Sequence, residues 1–229
     1  MNDNHLDREE AEVYNLVKEY LKKRPFFSIL DITGFLNYYL RKNETINRDK
    51  IEKILKILLE KNLIIPGAKL VKENILENPR RKEIYKYICD NPGCNINDIM
   101  NILQIGSNQV LWHLKFLTKF QFIRKVDFDN QKTFFKFQLN EYYDELFYYL
   151  RNASIIKILK LLKSSNEGIN PTKISKLLKM HYYTLKKYLS VLSRLNLLLL
   201  DDDKNSYNLN REVYYKILGD LKKHIRLKT

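Results

Sequence analysis

Between residues 75 and 210 apolar positions recur at spacings of three and four, twice over, and both runs break at the same kind of turn. In the first run Ile84, Tyr87 and Ile88 line one helical face, and in the second Ile155, Ile158, Leu159 and Leu162 do so. "NPG" (91–93) and "NEG" (166–168) end these helices. Asn95 and Asn170 are placed to cap the next helix, and Pro171 suits a first helical turn, where its missing N–H costs nothing. The second helix is short, "INDIMNILQ" or "PTKISKLLK", and a third follows, expected to be capped in the first copy by Ser107. The pattern then turns extended: "FIRKVDF", a polar tip "DNQK" and "TFFKF" predict a hairpin, and so do "LLLLD", "DDKN" and "SYNL".

A shift of 75 residues superposes the two copies. Gly93 falls on Gly168, Asn95 on Asn170, Ile99 on Ile174, Leu103 on Leu178, Val110 on Leu185, Leu114 on Leu189 and Leu117 on Leu192. Further on, Phe120 meets Leu195, Phe122 meets Leu197 and Asp127 meets Asp202. Three helices followed by a hairpin describe a winged helix. The fold class is therefore mainly α with small β-hairpins (α+β), as tandem winged helix-turn-helix domains joined by helices. The divisions are a first unit over 1–74, a winged helix over 75–139, a linker helix over 140–153, a second winged helix over 154–210 and a C-terminal helix over 211–229. In the first unit, helical patterns span 11–22 and 28–42, and "ILKILLEKNLI" (54–64) can be laid on "HLKFLTKFQFI" (113–123). "PGAKLV" leaves room only for a tight hairpin, so a divergent winged helix with a stunted wing stands beside a helical adaptor or dimerisation unit.

Composition narrows the function. Lys and Arg total 41 against 27 Asp and Glu, a formal charge of +14, which points to a polyanionic partner, nucleic acid ahead of a membrane surface. The excess is C-terminal: residues 151–229 hold 17 basic and 6 acidic side chains, against 10 and 8 in 79–150 and 14 and 13 in 1–78. "LLLL" (197–200) falls far short of the roughly 18 apolar residues of a membrane span, and "MNDNHLDREEAEVY" lacks a signal peptide's pattern, so no membrane association and a cytoplasmic location are expected. Cys89 and Cys94, without further ligands nearby, read as structural thiols, and no metal or cofactor is expected. His5, His113, His181 and His224 are scattered, and neither a glycine-rich phosphate loop nor a Ser, His and acid set is present, so no catalytic residues are assigned and no enzyme is expected.

The candidate contacts to DNA follow from charge and position. Lys173, Lys176 and Lys179 recur at threes along the last unit's second helix, while Tyr183, Lys186, Lys187 and Arg194 flank the apolar stripe of its third. That face suits a DNA backbone, and a solvated lysine surface is the competing reading. In the middle unit Ser107, Asn108 and Gln109 open the recognition helix, where side chains reach base edges and amides can pair with adenine. Trp112 lies off the apolar stripe, ready for a phosphate or a partner, with burial against the hairpin as the alternative; Lys115 follows it. His113 reads as a packing residue. The wing bearing Lys132 is the better candidate to touch DNA, because "DDDK" (201–204) puts three carboxylates at the other tip, which is expected to point away from a polyanion.

"SNQVLWHLKFL" resembles the recognition-helix segment of ArsR-like winged-helix repressors, matching at Ser107, Val110, His113, Leu114, Lys115 and Leu117. Two such units introduced by "ILENPRRKEIYKYICDNPG" resemble a group of archaeal predicted transcription regulators with two helix-turn-helix domains, the group to which the euryarchaeal archaellum activator is likened. The resemblance covers about residues 75–210. The metal-sensing ArsR proteins carry cysteines around this helix and the chain has none there, so metal sensing is not implied. Charge, position and resemblance together predict a sequence-specific regulator of promoter double-stranded DNA that docks electrostatically through the C-terminal unit and reads bases through one or both recognition helices. In tandem these act as a built-in pseudo-dimer with half-sites roughly 34 to 36 Å apart. Winged helices also serve as adaptors in multi-subunit assemblies. The rival class is thus a protein-interaction scaffold, with the basal transcription machinery or a second copy in a homodimer as partner.

Overall fold

The computed structural model describes residues 6–24 and 28–224, with side chains as far as Gly219. His5, the side chain of His224 and the last five residues of the expected C-terminal helix lie outside the described residues. In chain order the elements are α1 (Arg8–Lys23), α2 (Ile29–Tyr39), α3 (Arg48–Glu60), a 3-10 segment (Lys72–Glu77), α4 (Pro79–Asp90), β1 (Cys94–Asn95), α5 (Ile96–Leu103) and α6 (Ser107–Lys119). They continue with β2 (Ile123–Phe128), β3 (Gln131–Lys136), a 3-10 turn (Glu141–Tyr143), α7 (Asp144–Leu150), α8 (Ala153–Ser164), α9 (Pro171–Leu178), α10 (Tyr182–Arg194), β4 (Leu198–Asp201), β5 (Ser206–Leu209) and α11 (Arg211–His224). The result is the expected α+β class of helices with small antiparallel sheets. Two compact units form, Met1–Tyr85 with Leu103–Ile123, and Lys86–Ile102 with Arg124–Thr229, so the division falls inside α4.

In the first unit, α1, α2 and α3 close around a core that includes Val17, Ile32, Leu36, Ile51 and Leu58. Each helix starts on a side-chain cap: Asp7 and Ser28 in reciprocal boxes with Glu10 and Asp31, and Asn47 through its amide oxygen. These caps satisfy N–H groups that have no partner within the helix. After α3 the backbone turns left-handed at Asn62 (φ 51°), and Leu63 N–H donates to the Leu58 carbonyl at 2.9 Å. After α6 the same turn occurs at Gln121 (φ 56°), with Phe122 N–H donating to Leu117 at 2.9 Å, so laying 54–64 on 113–123 superposes the two helix ends. The tight hairpin expected at "PGAKLV" does not form. Pro66 and Gly67 (φ 72°) make a turn, but the chain enters the 3-10 segment at Lys72, and the Lys72 N–H bond to the Leu63 carbonyl (2.9 Å) closes the loop where a second strand would need several residues.

The second unit holds a three-stranded sheet ordered β1-β3-β2 and the series α8, α9, α10, β4 and β5, whose hairpin pairs Leu198 with Leu209 and Asp201 with Ser206. Ile155, Ile158, Leu159, Ile174, Leu185, Leu189 and Leu192 form its core, as the three-four spacing predicts. Arg124 pairs with Asp144, both nearly buried; burial outweighs the guanidinium and pushes the Asp144 carboxyl up to about 6. Burial pushes the Cys94 thiol up to about 12, and the two cysteines form no disulfide.

The repeat extends to backbone conformation. α5 and α9 share length and bounds under the 75-residue shift, and so do α6 and α10. Left-handed residues recur in step: Gln104 (51°) with Lys179 (49°), Gln121 (56°) with Asn196 (55°), and Asn130 (63°) with Asn205 (43°). The aligned glycines serve different needs. Gly93 takes φ 80°, whereas a Cβ on Gly168 would lie 2.3 Å from the Ser206 hydroxyl.

Candidate nucleic-acid interface

The cationic face of the second unit is built on α9 and α10. Asn170 caps α9 by accepting from Lys173 N–H at 2.8 Å, and Pro171 occupies its first turn. Lys173 and Lys176 project from α9 as exposed side chains, while Lys179 sits just past Leu178 as the left-handed C-cap, so the expected run of three along one helix ends at its second member. α10 buries Leu185, Leu189 and Leu192 and exposes Tyr183, Lys186, Lys187 and Arg194. Tyr183 is 78% exposed and stacks on His181 at 5.6 Å, and the Lys186 ammonium lies 5.8 Å from the Tyr182 ring. Two cations have acidic neighbours that the sequence did not reveal: Arg194 pairs with Glu145, and Lys187 lies 3.7 Å from Asp129.

Asp129 belongs to the tip of the β2–β3 hairpin. Asp129 and Asn130 are both left-handed (46° and 63°), the conformation that lets a two-residue turn follow the strand twist. Tyr149 O–H donates to Asp129 at 3.5 Å, and Asn152 donates to the Tyr188 hydroxyl at 3.2 Å, lining a polar cavity of about 310 Å³ beside Lys187. Lys132 is exposed on β3. At the other hairpin tip Asp201 accepts from Lys204 N–H at 3.2 Å, Asp202 and Asp203 are exposed, and Leu199 and Leu200 are 54% and 48% exposed. That wing is acidic and apolar, unlike the helices beside it.

In the first unit, α6 begins one residue earlier than the capping reading requires. Gly106 takes the extended N-cap conformation without a side-chain cap bond, and Ser107 is already the first helical residue, so Ser107 does not cap. Ser107, Asn108 and Gln109 therefore stand together as an exposed polar first turn. Lys115 is exposed and Trp112 is 51% exposed, while His113 is buried at 3%. Burial, with the charges of Arg81 and Arg80, pushes the His113 imidazole below its ordinary range. Beneath Trp112 lies Arg81, 2% exposed, 5.3 Å from the indole and 4.5 Å from the Phe116 ring, donating to the Ile75 carbonyl at 2.8 Å. Sequence reasoning passed over Arg81, because an arginine in a basic helix start reads as surface; only its spacing of three from Ile84 placed it on the inner face.

The structure thus groups Ser107, Asn108, Gln109, Trp112 and Lys115 on one helix of the first unit. It groups Lys173, Lys176, Lys179, Tyr183, Lys186, Lys187 and Arg194, with Lys132, in the second. Among the described residues no helix is long and apolar enough to cross a membrane. Residues 77–124, which run from the end of the 3-10 segment through α4, α5 and α6 into β2, match the family model for winged helix-turn-helix DNA-binding domains. The chain is also 28% identical over 211 residues to an uncharacterized HTH-type transcriptional regulator of Methanocaldococcus jannaschii, an alignment that takes in 92% of this chain and 52% of the relative. The chain spans about half the length of that curated relative.

Proposed function

We propose that the protein is a sequence-specific transcription regulator that binds promoter double-stranded DNA through α6 and α10, each as the recognition helix of a winged helix-turn-helix, with domain divisions near residues 75, 139 and 154. The observation that carries this reading is the recurrence of α5–α6 as α9–α10 under one shift, left-handed residues included, when residues 77–124 already match a DNA-binding family. On this reading the exposed first turn of α6 reads bases and the lysines of α9 and α10 neutralise phosphates, at a location in the cytoplasm and without catalysis.

Selection of bound fragments from a random duplex pool tests it. One enriched motif, lost when Ser107, Asn108 and Gln109 are all changed to Ala, is the expected result. Unenriched binding would leave a non-specific DNA coat protein. A second reading, a scaffold that docks the basal transcription machinery or a second copy, draws on exposed Leu199 and Leu200 beside the acidic tip. Sedimentation of the chain alone, with and without Leu199→Ser, separates the homodimer from the monomer.

A further inference from the structure

A groove of about 500 Å³ lies in the first unit between the C-terminal half of α6 and the turn at Pro66–Gly67. Its floor is apolar, from Leu70, Trp112 and Phe116, and its rim carries Lys69, Lys115 and Lys119. None of the three lysines forms a salt bridge with a described carboxylate. The lining contains no acidic residue, whereas the four other described cavities each hold at least one, at Asp90, at Asp98 and Asp129, at Glu145 and at Glu77. Against the rings of Trp112 and Phe116 the buried Arg81 adds a fourth cation, hydrogen-bonded to a backbone carbonyl and in no salt bridge with a described carboxylate. A guanidinium out of water keeps its charge, and its field is felt farther through the interior than a surface lysine's.

We propose that this groove is a binding site for a nucleoside phosphate. A planar ring needs apolar surface with an accessible aromatic side chain, and Trp112, 51% exposed, lines this groove beside Leu70 and Phe116. The phosphates need cations in one groove without competing carboxylates, and Lys69, Lys115 and Lys119 line this one with no acidic residue in its described lining. The volume falls within the roughly 300 to 1,000 Å³ of small-molecule sites. An isolated phosphate uses only the rim and an uncharged ring only the floor, so the full set selects a ligand with both. The site needs only the first unit's groove. Lys69 and Lys119 lie outside the DNA-facing set, so nucleotide binding and duplex binding can fail separately.

Trp112 is the chain's single tryptophan, so intrinsic fluorescence reports the groove directly. Titration with ADP should quench it saturably, with adenosine and inorganic phosphate each binding about tenfold or more weakly. Lys69→Ala with Lys119→Ala should weaken ADP by about tenfold or more with the circular dichroism spectrum unchanged, and Lys69→Glu should weaken it further. Absence of saturable quenching at about 1 mM ADP, a range in which a specific nucleotide site would be filled, would overturn the assignment. So would equal affinity in the lysine variants, or tighter binding of a poly-glutamate peptide than of ADP, which would mark a protein-docking surface.

Discussion

The pair α5–α6 and the pair α9–α10 share helix bounds under one shift and differ in almost every exposed side chain. α6 opens on Ser, Asn and Gln, and α10 opens on Tyr, Tyr and Thr before its lysines. The first hairpin closes in two left-handed residues and carries Lys132, and the second closes over four residues with Asp202 and Asp203 exposed. What is held constant is what the backbone requires: the buried positions at Ile99 and Ile174, Leu114 and Leu189, Leu117 and Leu192, and the left-handed residues that end each helix. What varies is the chemistry offered to a partner. The first turn of α6 presents hydrogen-bonding side chains, and α9 and α10 present charge; on the proposed function this would divide base reading from phosphate holding.

Removing the shared core tests the common scaffold with the largest effect. Leu114→Ala and Leu189→Ala should each lower stability by about 2 to 5 kcal/mol in urea unfolding, since both side chains are buried. A near-zero cost at one of them would mean that the copies do not rest on equivalent cores. Next comes base reading: Gln109→Ala should cost roughly 1 to 3 kcal/mol on the preferred site and relax preference at one base pair, and equal loss on random DNA would assign it to positioning alone. The wings come third. Lys132→Glu should weaken duplex binding by about tenfold, while Asp202→Lys with Asp203→Lys should leave site preference intact and raise affinity only modestly. A moved footprint in the Asp variant would put the acidic wing on DNA.

The smallest effect is in pH. His113 titrates below its ordinary range in the folded chain, so as pH falls through that range the unfolded chain takes up the proton first. The histidine's contribution is therefore complete above the unfolded imidazole value and is lost as pH falls from there through the depressed folded value. His113→Phe should flatten that part of the stability curve in denaturant titrations. An unchanged slope would show that another group sets it.

The core and the helix order were legible because burial imposes a period on the sequence: Ile155, Ile158, Leu159 and Leu162 announce α8 without help from tertiary structure. Asn95 and Asn170 were legible as caps because an amide before a helical run has few better uses; Asn95 accepts from Asp98 N–H and its own N–H donates to the Asp98 carboxylate. Ser107 misled for a local reason. Gly106 occupies the extended N-cap position (φ −71°, ψ 153°), so the serine stands in the first turn instead. The first unit's missing wing was hidden because strand formation depends on where the next element begins, and here Lys72 begins it. Arg81 under Trp112 and Asp129 beside Lys187 were hidden for a different reason: charges read as surface, and contacts across 31 or 58 residues leave no periodic trace. Long-range electrostatics was therefore the least legible part of the candidate interface.

The most direct test of DNA binding through these helices is the salt dependence of affinity for duplex DNA, measured for the chain and for Lys186→Ala with Lys187→Ala. A steep fall in the logarithm of the binding constant with the logarithm of salt is predicted, its slope smaller in magnitude in the variant by on the order of one per lost phosphate contact. Lys187, with Asp129 at 3.7 Å, should contribute less of that change than Lys186. A slope that the double variant leaves unchanged, or an affinity indifferent to salt, would contradict the account.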